Sequence, residues 1–176
     1  MLFISVTAWS QQPKDTFCWG KEEISWEDYK GIPKTNGGSD AVTASLIHMS
    51  VEYPSNLKPQ ITIETLFNRS ASWVKNRTHS LLIHEQGHFD ITEIYARKLR
   101  REVLSRSFNS KTFEDEIFQL HKKFCMQMDA YQDRYDAETN YSRNSEMQLK
   151  WNESIKNSMQ ELKSLADPKL SLILNE

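Results

Sequence analysis

The chain has 176 residues, 38% of them hydrophobic, and a formal charge of −2 at pH 7. That length fits one domain with room for a sizeable core, and dispersed, nearly balanced charge recommends no nucleic-acid partner. No apolar stretch is long enough to predict stable membrane insertion.

Residues Met1–Ser10 form an apolar run through Trp9, with the small residues Ala8 and Ser10 ahead of Gln-Gln-Pro-Lys. The run reads as the remnant of a signal peptide without its positive n-region, and a buried first strand is the competing interpretation. Residues 11–176 are then one exported domain, secreted or periplasmic. The only cysteines, Cys18 and Cys125, are too far apart for a zinc knuckle. After export they could close a long loop as one disulfide, and a plain buried thiol is an equal alternative for Cys125. Trp19, Ile24, Trp26 and Tyr29 predict an aromatic segment that packs, and Ile32–Asp40 a loop centred on Gly37-Gly38.

Val42–Tyr53 predicts a strand, with Ile47, Met49, Val51 and Tyr53 alternating. Pro54-Ser55-Asn56 turns the chain, and Ile61–Phe67 alternates again through Ile63 and Thr65. The two runs are expected to pair antiparallel; His48, on the other side from Met49, has no assigned role. From Thr78 the chain reads as helix. Thr78 or Ser80 caps a first helix running to about Ser105, and Thr112 caps a second. The second presents Phe113, Ile117, Leu120, Phe124, Met128 and Tyr131 on one stripe; a third presents Met147, Trp151, Ile155 and Leu162. Leu170–Leu174 suggests a last short strand. Strands first and helices after give an α+β class.

His84-Glu85-Gln86-Gly87-His88, an H-E-x-x-H run, is where the chemistry concentrates. At about 100° and 1.5 Å per residue, the two histidines of a helix lie one turn apart on one side. Both imidazoles can reach one Zn2+, with Glu85 beside them to act as general base on a zinc-activated water. Leu81, His84, His88, Ile91, Tyr95 and Leu99 share the apolar side. Gln86, Glu93, Arg97 and Arg100 share the other, so the basic cluster Arg97–Arg101 is expected to be a solvated face. Gly87 costs about 1 kcal/mol of helix propensity relative to alanine, which predicts a close approach at that turn.

A catalytic zinc needs a third protein ligand. The positions that would continue the motif toward a third histidine hold Ile91 and Ile94, and Glu93 points away from the pair. Glu114, Glu116, His121 and the polar segment Tyr135–Ser142, Asp136 and Glu138 included, remain as candidates. That last segment is expected to be a helix–helix connection.

His-Glu-Gln-Gly-His-Phe-Asp-Ile (84–91), Ser72-Trp73-Val74 upstream and Tyr135-Asp136-x-x-Thr139 downstream resemble a bacterial domain of unknown function described as predicted secreted zinc-dependent proteases. The similarity runs from about Trp19 to Trp151. It implies a zincin-like fold with His84, His88 and Asp136 as metal ligands and Glu85 as the catalytic carboxylate. Where the family pattern carries a further histidine, this chain has Tyr141. The implied activity is hydrolysis of a peptide or protein substrate, with Tyr135 or Tyr141 steadying the oxyanion and a strand within Ile61–Trp73 offering its edge to an extended peptide. Three alternatives follow from the same residues. They are a catalytically weak or inactive zincin-like exported binding domain, a metal-free interaction module with core histidines, and an enzyme for a cell-wall amide bond.

Overall fold

The computed structural model describes residues 14–21, 23–34, 39–54 and 58–176. The expected signal segment Met1–Ser10, the Gly37-Gly38 loop tip and Ser55-Asn56 of the expected turn lie outside the described residues.

Alternation decides the centre of the sheet. Ile61, Ile63, Thr65 and Phe67 of β4 (Gln60–Asn68) are all buried, and the strand is paired along both edges. On one side lies β3 (Ser45–Glu52), antiparallel, with Ile47 opposite Thr65 and Met49 opposite Ile63. On the other side β1 (Thr16–Cys18) pairs with Leu66–Asn68, and β6 (Lys169–Ser171) pairs with Gln60–Thr62. The short terminal strand expected in the apolar tail is therefore present and central to closing the sheet. Strand addition to Ile61–Phe67 is ruled out by this order, because neither edge of β4 is open.

The predicted strand Val42–Tyr53 is two pieces. Its first residue, Val42, belongs to β2 (Ala41–Val42), which pairs antiparallel with β5 (Trp73–Val74). The break falls at Ala44, whose N–H donates to Ser72 Oγ and whose carbonyl accepts from Asn68. Side-chain and turn bonds there replace the ladder.

Three helices follow. α1 (His79–Leu104) starts where Thr78 Oγ1 accepts from Leu81 N–H and ends at Ser105, as its capping residues predict. α2 (Phe113–Thr139) buries Phe113, Ile117, Leu120, Phe124 and Met128. α3 (Ser145–Glu161) is capped by Asn144 and buries Trp151 and Ile155. α1 lies between the sheet on one side and α2 and α3 on the other. A second, smaller core gathers Phe17, Ile24, Tyr29, Phe67 and Phe89, so the aromatic N-terminal segment packs as expected. Among the described residues, no helix is long and apolar enough to cross a membrane. Cys18 and Cys125 are both free thiols.

Two expectations fail for physical reasons. Glu93, Arg97 and Arg100 are not a solvated face; they are 3%, 4% and 1% exposed. At these positions the helix is enclosed by the sheet and two helices, so its charges must satisfy one another. Glu93 takes Arg97 Nε at 2.8 Å, Arg100 Nη1 at 2.9 Å and the Thr65 hydroxyl at 2.8 Å. Arg100 also donates Nε and Nη2 to Ile63 O at 2.9 and 2.7 Å, and Nη1 to Leu165 O at 2.8 Å. Only Arg101 of the basic cluster is exposed. The other failure concerns Tyr135–Thr139, expected in a connection; these residues are the last turn of α2. The connection begins at Asn140, where Asn140, Tyr141 and Ser142 have φ of 48°, 52° and 70°.

Candidate metal centre

On α1, residues 84 and 88 fall on the side that meets α2, so both imidazoles point between the helices. Their rings stand nearly perpendicular, with centroids 4.8 Å apart. Their side chains are 2% and 12% exposed. The two Nε2 atoms are 3.2 Å apart, and each lies 3.0 Å from the same oxygen, Asp136 Oδ1. His84, His88 and Asp136 are the group among the described residues whose ligand atoms converge closely enough to hold a metal ion.

Asp136 reaches this point because α2 continues through it. Gln132, Tyr135, Asp136 and Thr139 recur at helical spacing on one side of α2, facing α1. Tyr135 is fully buried, stacks on His84 with ring centroids 4.5 Å apart at 17°, and donates to His84 O at 3.0 Å. Its hydroxyl also explains Gly87. A Cβ at that position would sit 2.3 Å from Tyr135 Oη, so the close approach predicted from the glycine is the tyrosine.

Glu85 is 3% exposed, and its Oε2 has no hydrogen-bond partner among the described residues. It lines a cleft of about 180 Å³ together with His84, His88, Asp136, Gln132 and Tyr141. The opposite wall is Ser39–Thr43, which includes β2. Tyr141 stands at the rim, 47% exposed. Arg143 in the same turn reaches across to Asp40, with Nη2 3.1 Å from Oδ2.

The electrostatics follow from this crowding. Burial opposes a charged His88, but the hydrogen bond to Asp136 and the negative charges of Glu85 and Asp136 outweigh it and raise its pKa above 6.5. Burial would likewise raise the Asp136 carboxyl; hydrogen bonds from His84 and His88 hold it well below the ordinary carboxylate range. Burial first, and also the charge of Glu85, push the phenols of Tyr29 and Tyr135 above the usual tyrosine range, so both remain protonated.

The other sequence candidates are placed elsewhere. Glu114 accepts from Tyr53 Oη, and Glu116 from Thr112 Oγ1, which binds that carboxylate instead of a backbone N–H. His121 Nε2 bonds Ile47 O at 2.9 Å, on the edge of β3. Glu138 accepts from Trp151 Nε1. Cys18 bonds Glu64, on the sheet face that also carries His48. Sequence reasoning missed Gln132 and Gln148, which touch the two histidines. The signal for Gln132 was its place four residues before Asp136; Gln148 gave none.

Fold and site together define an α+β domain in which two helices bring a His-His-Asp group able to hold a metal ion to the floor of a cleft. Residues 23–144 match the family described as bacterial protein of unknown function (DUF922), and the chain belongs to that family. No curated protein and no solved structure matches it.

Proposed function

We propose that this protein is an exported zinc-dependent hydrolase of zincin-like design, acting on a peptide or protein substrate. The observation that carries this reading is the convergence of two imidazole nitrogens and one carboxylate oxygen, 3.0–3.2 Å apart, beside a buried carboxylate oxygen without a partner among the described residues. Two nitrogens and one oxygen suit zinc, and three protein ligands leave a position for chemistry. His84, His88 and Asp136 would hold the ion. Bound there, zinc supplies a Lewis acid that acidifies water and polarises a carbonyl.

The remaining roles fall to this chain's own groups. Glu85 Oε2 accepts a proton from water and passes it to the leaving amine. Tyr141, at the rim of the same cleft, donates to the developing oxyanion. β2 replaces β4 as the strand available to an extended substrate. β5 pairs with one of its edges, and Ala41–Thr43 line the cleft.

In Glu85→Gln, turnover of a denatured-protein or peptide-library substrate is expected to fall at least about a hundredfold, with zinc content unchanged by elemental analysis. Parent-like turnover would remove the general-base role. A second reading is a zincin-like exported domain without activity, which the exposed Tyr141 favours, because an exposed phenol is weakly placed to assist. Zinc at one equivalent with no cleavage of any substrate would select it.

A further inference from the structure

Each imidazole starts a hydrogen-bond circuit that returns to its own backbone. His84 Nδ1 lies 3.0 Å from Gln148 Oε1, Gln148 Nε2 lies 2.7 Å from Tyr135 Oη, and Tyr135 Oη lies 3.0 Å from His84 O. The second circuit repeats the first with different residues. His88 Nδ1 is 2.5 Å from Gln132 Oε1, Gln132 Nε2 is 3.3 Å from Thr92 Oγ1, and Thr92 Oγ1 is 3.0 Å from His88 O.

Proton counting fixes the direction of both. A phenol or hydroxyl has one proton. Tyr135 and Thr92 each give theirs to a main-chain carbonyl, which has none to offer, so their oxygens accept from glutamine, and Thr92 also from the Ser45 hydroxyl 2.7 Å away. That turns the amino end of each glutamine toward the hydroxyl and the carbonyl end toward the histidine. Gln148's second N–H goes to Asn152 Oδ1 at 2.8 Å, consistent with the same orientation. A carbonyl oxygen accepts only, so each Nδ1 must carry a proton.

We infer that Gln132 and Gln148 are positioning residues that hold a proton on Nδ1 of His84 and His88, reserving both Nε2 atoms for the cation site shared with Asp136. The inference rests on the metal-site reading above and extends it to α3, which supplies no ligand. Both acceptors are neutral amides, so Asp136 is the one charged member of the set, and ring orientation is held without adding negative charge. Outer partners of this kind typically contribute ten- to a hundredfold to metal affinity.

The test uses the full chain. In the metal-free protein, 15N NMR of labelled histidines should find Nδ1 protonated on both rings. Competition for Zn2+ against a chromophoric chelator should give ten- to a hundredfold weaker binding for Gln132→Leu and Gln148→Leu. Gln132→Glu keeps an acceptor for the ring and should bind close to the parent. A ring whose Nδ1 carries no proton, or a leucine variant binding zinc as tightly as the parent, overturns the inference. If Gln148→Leu does not fold, the half-buried Gln132 carries the comparison. Zinc uptake by the parent no greater than by His84→Ala would instead sink the metal site itself, and the NMR result would still decide the circuits.

Discussion

Gly87 shows how one missing methyl group can organise a site. Its absence lets Tyr135 lie flat against His84 and reach the backbone of the same turn. Gly87→Ala should gain about 1 kcal/mol of helix propensity yet destabilise the protein by about 1–3 kcal/mol, because the added carbon must displace a fully packed ring. Urea denaturation gives the sign, and a more stable variant would show that Tyr135 can move away freely. His84, Glu85 and His88 could be read from sequence because their relationship lies within one helical turn. Asp136 was one of several downstream candidates until the resemblance singled it out, since its distance to the histidines is set by how α2 docks on α1. Gln148 was invisible for the same reason, with no motif to flag it.

α1 is where element-scale reading went furthest astray. Its apolar stripe and both ends were predicted well, because caps and periodicity are local properties. Its second side looked solvated because Glu93, Arg97 and Arg100 are charged, and charge usually marks the outside. What the wheel could not supply was the carbonyls of Ile63, Met159 and Leu165 that receive those guanidinium groups. Arg100→Met should therefore cost about 3–5 kcal/mol, since it strips Glu93 of a partner and leaves buried carbonyls without donors. The measurement is again equilibrium unfolding; a loss below about 1 kcal/mol would mean the arginine is replaceable by plain apolar packing. The end of α2 was misjudged in the opposite sense. Asp, Glu, Thr and Asn suggested a loop, but contact with α1 holds Tyr135 and Thr139 in helix.

At the scale of the molecule, the order of strands and helices was open to sequence, while the sheet order was not. Which strand sits at the centre depends on β1 and β6, two three-residue segments at opposite ends of the chain. Metal binding should report on the assembled whole. A proton on His88 competes with a cation, and its pKa lies above 6.5, so zinc affinity is expected to rise with pH through that raised value and level off above it. Asp136, held ionised to low pH, adds nothing to that fall. Affinity independent of pH between 5 and 9 would contradict the assignment of His88 as a ligand. Saturating zinc at about a hundred times Kd should stabilise the fold by about 2.7 kcal/mol, readable as a higher Tm.

The reversal between α2 and α3 has a mechanical meaning. Asn140, Tyr141 and Ser142 coil left-handed, Tyr141 N–H bonds Asp136 O, and Asn144 N–H bonds Thr139 O at 2.8 Å. So short a hinge acts as a ruler: it fixes how far along α3 a side chain must stand to arrive level with His84. Lengthening it by a single residue would carry Gln148 past the imidazole while leaving every helix intact, and the first property to suffer would be the aim of one ring.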